Sequence, residues 1–453
     1  MHSKIPLSPA YTKKLRMREA LFEPAQLLPV QERLLRSIGK YRYTDLIRAT
    51  LGRHLNMEEA FVAMCYALRA SNGYLERLYL SGLDDFGETG NVMAAREMLS
   101  GLAMKEAWAH LTPSEIAGMV AATMMDVMRF PAYGDRVFEN CGMGGDRGVQ
   151  FNGEPFRRKT INGSTLSTLV LATLRIIQTA KHGSYANTSA VGSTDAIEHL
   201  GVRVDLPNVG VQNRLAALGF HFTDAHAWKT IHDLSHAEPR RETVNHIVGP
   251  LTPPIHPDIE LFKIVGVSEK MHPQIVAKAL AVLGDEGVFR LKHAAAVCGL
   301  ERVIDVEEVS VHERVRSVTV LDELSPIASA VAIVRNGEYC GTHILTPSMF
   351  GTAPFKNPLS VFVENTVERI MEANRTALSG VDDGRDLVPF LAMNAAFSLY
   401  LVDCLTDDPV SETRPPSRDA LSTCYQRCLD VLQSGRVKQF VDGYAERSQT
   451  IQD

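Results

Sequence analysis

The side chains best suited to chemistry lie in three short stretches, rich in small residues, between residues 141 and 195. The first, CGMGGDRG, places Gly142, Gly144, Gly145 and Asp146 just after a β-like run. Glycines there permit positive φ and let backbone N–H groups form a cradle for an anion. The loop is neither a G-K-S/T phosphate loop nor G-x-G-x-x-G, and alone it reads equally well as a plain turn. The second, TINGSTLSTLV, puts Asn162, Ser164 and Thr165 where an apolar helix begins. Hydroxyls and unpaired N–H groups at a helix N-terminus suit a phosphate, although an ordinary N-cap explains the same residues locally. The third, KHGSYANTSAVGSTD, offers Lys181 to neutralise a phosphate and Ser193 to hydrogen-bond one. His182 by itself reads more readily as a core or supporting histidine than as a base.

These stretches need a scaffold to bring them together. Residues 1–133 read as a small helical domain, joined by a short later segment, because NMEEAFVAMCYALRA and LTPSEIAGMVAATMMDVMRF carry apolar residues at helical spacing. Thr112 is a natural N-cap there, with Pro113 first in the helix and Glu115 three residues after the cap. Residues 134–453 alternate strand-like runs (VTVLDEL, SAVAIVRNGEY) with helical ones (HPQIVAKALAVLG, ENTVERIMEANRTALSG, LVPFLAMNAAFSLYLVDCL, ALSTCYQRCLDVLQSG). That pattern predicts a larger α/β domain with a central sheet flanked by helices. DDPVSETRPPSRD, residues 407–419, reads as an exposed flexible loop.

Composition narrows the function. The chain has 453 residues and a net charge of −6, which gives no electrostatic case for nucleic acid as a partner. No apolar run reaches the roughly 18 residues that span a bilayer, and the first residues lack an apolar signal core, so a cytoplasmic protein is expected. The seven cysteines are scattered. Cys424 and Cys428 share a helical pattern with no His or Cys pair to complete a zinc site, and reduced, mostly buried thiols are expected.

Taken in order and at their spacing, the three stretches resemble anthranilate phosphoribosyltransferases. That family reads G-T-G-G-D, then N-x-S-T opening a helix, then K-H-G-N-R running to S-x-x-G-S-x-D. The matching residues are Gly142, Gly144, Gly145 and Asp146; Asn162, Ser164 and Thr165; and Lys181, His182, Gly183, Ser189, Gly192, Ser193 and Asp195. AIEHLGVRVDL, LGFHFTDAHAWK, RETVNHIVGPLTPP, LDELSP and the C-terminal helices continue the likeness from about residue 112 to 445.

The resemblance implies a phosphoribosyltransferase that uses phosphoribosyl pyrophosphate (PRPP) and Mg²⁺, displaces pyrophosphate at ribose C1, and forms homodimers through the helical domain. It implies PRPP contacts from Gly142, Gly144, Gly145, Asp146, Asn162, Ser164, Thr165, Lys181 and Ser193. Asp322 and Glu323, with the Ser164 hydroxyl, would hold Mg²⁺. The stretch before LDELSP is longer than in the family, so Asp305 or Glu307 is an alternative acidic ligand. No strong base is required if the nucleophile is an unprotonated aryl amine.

The acceptor side departs from the pattern. Ser184 and Tyr185 stand where the family has asparagine and arginine. Ser235, beside His236, stands where it has a second arginine, with Arg240 nearby as a possible replacement. Loss of such an arginine removes a charge-assisted contact of about 1.5–3 kcal/mol to a carboxylate. His182, Ser184, Tyr185, Ser235 and Arg240 are therefore the acceptor-side candidates. Met143 replaces threonine and Arg147 replaces glycine, and an insertion over 147–160 adds Arg157, Arg158 and Lys159, either as a solvated loop or as a lid. The expected function is Mg²⁺-dependent phosphoribosyl transfer to a small acceptor other than anthranilate. The alternatives are transfer to anthranilate itself, or a non-catalytic relative that binds a ligand, nucleic acid or protein. A pyrimidine nucleoside phosphorylase is disfavoured, because the KHG segment follows the transferase pattern.

Overall fold

The structure is a computed structural model. It describes residues 26–127, 129, 134–144, 150–151, 154–155, 158–186, 189–206, 209–225, 230–236, 243–352, 355 and 357–451.

Helices come first: α1 (Met57–Ser71), α2 (Gly87–Ala109) and α3 (Pro113–Thr123). Two of them begin with reciprocal caps. The Asn56 side chain accepts the Glu59 N–H at 2.8 Å while Glu59 accepts the Asn56 N–H at 3.0 Å. Thr112 and Glu115 pair in the same way, with Pro113 at the first helical position as its fixed φ favours. Helix α3 stops at Thr123 although the apolar spacing runs on to Phe130. Just past the stop, the buried Asp126 carboxylate accepts the Asn72 amide at 2.9 Å and the Ile231 N–H at 2.8 Å. The chain is tied there to two other segments instead of continuing as a helix.

A sheet follows, with its connecting helices: β1 (Arg136–Gly142), α4 (Gly163–Leu174), β2 (Gln178–Gly183), β3 (Phe220–Asp224), β4 (Glu260–Gly266), α5 (Pro273–Asp285), β5 (Arg290–Leu300), β6 (Thr319–Leu321), β7 (Ala328–Arg335) and β8 (Glu338–Leu345). The strand order is β8-β7-β5-β4-β1-β2-β3, with β6 paired to β5. Strands β5, β4, β1, β2 and β3 are parallel neighbours, while β6, β7 and β8 join antiparallel. The run SAVAIVRNGEY, expected as one strand, resolves into β7 and the start of β8. Asn336 and Gly337 turn between them at φ of 52° and 82°, as a two-residue hairpin requires.

Side-chain alternation gives the sheet two apolar faces. Val137, Ala180 and Val265 join the core under α1, α3 and α5, whereas Phe138, Phe262 and Ile264 face the other way. That second face packs with α4 and with α6 (Val367–Ser379), α7 (Leu387–Asp403) and α8 (Arg418–Gln433). The loop between α7 and α8 is mostly exposed, as expected, but it is anchored. Buried Asp408 accepts both the Tyr400 hydroxyl and the Ser417 N–H at 2.7 Å.

Candidate active site

Ligands of open parallel sheets bind beyond the carboxyl ends of the strands. A cavity of about 220 Å³ lies at that end of β1 and β2. Gly142, Met143 and Gly144 line it from the end of β1; Lys159 to Ser164 line it from the start of α4; His182 to Tyr185 line it from the end of β2. Ser189, Val191, Gly192 and Ser193 close one side, and Asp322 and Glu323 reach in from the turn after β6. Ala225, His232, Asn245, His246, Gly249 and Pro250 complete the far end.

The glycines are there because this acidic turn runs against the backbone. A Cβ on Gly142 would sit 2.2 Å from Asp322 Oδ2, and one on Gly163 would sit 1.5 Å from Glu323 Oε2. On Gly266 it would meet the Asp322 carbonyl oxygen at 1.7 Å. Gly144, at φ of 65°, aims its N–H at Asp322 Oδ2, 2.9 Å away. The Thr160 hydroxyl donates to Glu323 Oε1. The two oxygens of a carboxylate offer about four lone-pair sites.

Two asparagines on the C-terminal helices hold this arrangement in place. Asn394 of α7 accepts the Leu324 N–H at 3.0 Å and donates back to the Leu324 carbonyl at 3.4 Å, which fixes the turn carrying the acidic pair. Asn374 of α6, wholly buried, accepts the Asn162 N–H at 2.9 Å and donates to Asn162 Oδ1 at 2.7 Å. Asn162 in turn donates to the Val191 carbonyl at 3.2 Å. Its side chain is thus neither an ordinary N-cap nor idle. It ties the start of α4 to the 189–193 loop.

Beneath the cavity lies a buried charged cluster. Glu139 of β1 and Lys263 of β4 are register partners and form an ion pair with both side chains fully buried. The other Glu139 oxygen is 2.8 Å from His182 Nδ1, and His182 Nε2 faces the Gly249 carbonyl at 3.2 Å. Burial alone would raise the Glu139 pKa, but Lys263, His182 and Lys181 outweigh it and hold the carboxyl down to about 2. Burial would also lower His182, yet the negative charge of Cys141 and Glu139 prevails and raises it. Cys141, burial notwithstanding, is drawn down to about 7 by His182 and Lys181.

The loop after β2 is shaped by Asp195, which accepts the N–H groups of Ala186 at 2.7 Å and Gly192 at 2.9 Å. A Cβ on Gly192 would strike the Ser184 carbonyl at 2.4 Å. The Tyr185 hydroxyl donates to Glu198 at 2.9 Å. Burial and that carboxylate raise the phenol's pKa.

Of the residues singled out in the sequence, Gly142, Gly144, Asn162, Ser164, Ser193, His182, Ser184, Tyr185, Asp322 and Glu323 all border one cavity. Lys181 and Thr165 do not. Lys181 alternates with His182 along β2, is 1% exposed, and donates its ammonium to the His182 carbonyl at 2.6 Å. Thr165 is buried behind the start of α4. Gly145, Asp146, Arg147, Arg157 and Arg240 lie outside the described residues, and only the backbone of Ser235 is described. Asp305 caps a short exposed helix through Glu308 and, like Glu307, borders no part of the cavity. Within the insertion, residues 158–159 pair antiparallel with 363–364, and Lys159 borders the cavity. Sequence reading passed over His232 and His246, and the buried Glu139–Lys263 pair. His246 sits inside a segment already matched to the family. The pair gives no local sign, because its partners are 124 residues apart.

Two carboxylates beside a helix N-terminus and a glycine turn form a site with opposed tendencies. The helix end and the N–H groups favour an anion, while Asp322 and Glu323 repel one unless a cation lies between. Hard oxygen donors on a hydroxyl-rich rim suit Mg²⁺ with its waters and substrate phosphates. The donor set therefore fits a metal-bridged polyphosphate.

Residues 135–314 match the family model described as "Glycosyl transferase family, a/b domain". The anthranilate phosphoribosyltransferase of Herpetosiphon aurantiacus is 30% identical over 322 residues, covering 69% of this chain and 80% of that protein. The Serratia proteamaculans enzyme is 28% identical over 340 residues, or 74% and 85% of the two chains. Among solved structures, the anthranilate phosphoribosyltransferase of Thermus thermophilus superposes with a TM-score of 0.62 at 24% identity, over 90% of this chain and 100% of that one. The Saccharomyces cerevisiae enzyme in complex with PRPP and Mg gives 0.59 at 18% identity, over 93% and 99%. These structural likenesses establish the fold. Among the described residues no helix is long and apolar enough to cross a membrane.

Proposed function

The chain belongs to the anthranilate phosphoribosyltransferase family, and from that premise we propose that it transfers the phosphoribosyl group of PRPP, with Mg²⁺, to a small acceptor other than anthranilate. The observation that carries the donor half is the meeting of Asp322 and Glu323 with Gly144 and the start of α4 in one cavity. Asp322 and Glu323, with the Ser164 hydroxyl, would hold the metal. Mg²⁺ supplies charge neutralisation of the departing pyrophosphate. The chain's own part is positioning. The glycine turn and the rim hydroxyls Ser164 and Ser193 orient the diphosphate, and the walls limit water around C1 as positive charge develops on the ribose. His182, held by Glu139 and Gly249, presents a fixed edge to the cavity rather than a free base.

The acceptor half rests on Ser184 and Tyr185, which border the cavity without offering a cation to an acceptor carboxylate. Restoring the family residues tests this. The double substitution Ser184→Asn with Tyr185→Arg is expected to raise kcat/KM for anthranilate about 10–100-fold, the equivalent of one charge-assisted contact. Fluorimetric anthranilate turnover in the unaltered protein equal to that of its relatives would overturn the acceptor reading and leave the donor reading intact. Transfer to anthranilate is the second reading, favoured by the 30% identical relative of that activity.

We also infer a homodimer. Met93, Met104 and Trp108 are 59%, 63% and 56% exposed on α2. Their spacing of eleven and four residues puts them on one stripe of the helix. Such a row of large apolar side chains on the side of α2 away from its buried face, which carries Ala95, Met98, Leu99 and Leu102, is an interface in want of a second copy. Light scattering should give twice the 49.9 kDa chain mass, and Trp108→Glu with Met104→Glu should return it to one.

A further inference from the structure

Two thiols far in sequence from the cavity stand in contact. Cys404 follows the last residue of α7, Cys424 lies inside α8, and their sulfurs are 3.6 Å apart and hydrogen-bonded. The chain between them is held at several points. Asp408 takes the Tyr400 hydroxyl and the Ser417 N–H, its carbonyl accepts from Arg335 at 2.6 Å, and Arg427 of α8 bridges back to Asp403 at 2.5 Å. The sulfur contact is therefore set by the packing of α7 on α8 and not by a free loop. The two thiols are also unequal. Cys404 is half-buried and reaches solvent, whereas Cys424 is fully buried.

We propose that Cys404 and Cys424 form a reversible redox site that a peroxide converts to a disulfide, with Cys404 attacking and Cys424 resolving. In the first step the Cys404 thiolate attacks a peroxide oxygen. The S–O bond forms as the O–O bond breaks, and with hydrogen peroxide the leaving hydroxide takes up a proton to become water. In the second step the Cys424 sulfur attacks the Cys404 sulfenic acid. The S–S bond forms, the S–O bond breaks, and the Cys424 proton leaves with the hydroxide as a second water. Two thiols lose two electrons and one peroxide gains them. Closing the pair shortens the sulfur separation from 3.6 Å to about 2.05 Å, within reach of side-chain rotation and a small helix shift. The hydrogen bond with Cys424 lowers the Cys404 thiol from its ordinary value and makes it the better nucleophile. Cys340 is the internal comparison: it is similarly accessible, but its sulfur faces only the Glu338 carbonyl, at 3.4 Å.

The test uses the full chain, reduced and then exposed to hydrogen peroxide, with thiol titration in denaturant and peptide mapping by mass spectrometry. The expected result is a loss of two thiols from the seven, a cross-linked peptide joining Cys404 to Cys424, and recovery of both with dithiothreitol. In Cys424→Ser a sulfenic acid trapped by dimedone should accumulate on Cys404, and in Cys404→Ser no adduct should form on Cys424. Oxidation of Cys340 while Cys404 and Cys424 stay reduced would overturn the proposal. So would sulfinic acid at Cys404 without a cross-link, or a disulfide joining any other pair.

Discussion

Glu323→Gln is expected to lower the PRPP-dependent turnover by about a hundredfold or more, with the far-ultraviolet dichroism unchanged. The substitution keeps the shape of the side chain and an oxygen for the Thr160 hydroxyl. What it removes is one negative charge at the position proposed to hold the cation against a diphosphate. Interactions realised mainly as the leaving group gains charge act on kcat rather than on KM. The variant should therefore lose turnover while raising the Mg²⁺ concentration needed for half activity, and isothermal calorimetry should show a much smaller loss in metal-dependent PRPP binding. Unchanged Mg²⁺ dependence in a folded Glu323→Gln protein would remove Glu323 from the donor site. Asp322→Asn should behave alike, since its amide oxygen can still accept the Gly144 N–H.

The second large effect concerns stability. Lys263→Met strips the counter-charge from Glu139 at a site where both side chains are wholly buried. Removing one member of such a pair costs about 3–5 kcal/mol, measurable as a shift in the urea midpoint at constant slope. Adding Glu139→Gln to Lys263→Met should recover part of the loss, since the uncompensated charge disappears with its partner. The pair also sets an acid limit. The Glu139 carboxyl is depressed from 4.5 to about 2, so its contribution to stability is complete above pH 4.5 and vanishes as the pH falls through 2. His182 has the opposite sign. Its pKa is raised on folding, so its contribution is complete below the ordinary histidine value and fades as the pH rises through the raised one. Stability curves of the unaltered protein and Glu139→Gln should converge at the acid end. Parallel curves down to pH 2 would show that the Glu139 ionisation is not linked to folding.

Much of the architecture was legible because local chemistry and tertiary packing agree. Thr112-Pro113-x-Glu115 starts a helix in the sequence and in the structure, and the small-residue turns at Gly144 and Ser164 face one cavity. Where reading failed, a distant partner decided. Asp126 ends a helix whose apolar spacing continues, because the ligands of its carboxylate come from residues 72 and 231. Lys181 stays out of the cavity because a strand alternates its faces, and the residue beside it took the inward position. The hairpin at Asn336–Gly337 carried its own signal, a dipeptide made for positive φ inside the polar stretch Arg335–Glu338, although the run was read as one strand. The carboxamides of Asn374 and Asn394 gave no sign at all. One sits in an amphipathic helix and the other in an apolar one, and the meaning of each lies in the backbone it grips across the fold.

That long-range grip has a bearing on biosynthesis. Gly144 meets Asp322 across 178 residues of chain, and Asn162 meets Asn374 across 212. A polypeptide still leaving the ribosome therefore displays its bare strand ends well before the segment that covers them has been made. Only once α7 has cleared the exit tunnel can Asn394 clasp Leu324 and fix the acidic turn against the glycines of the strand ends.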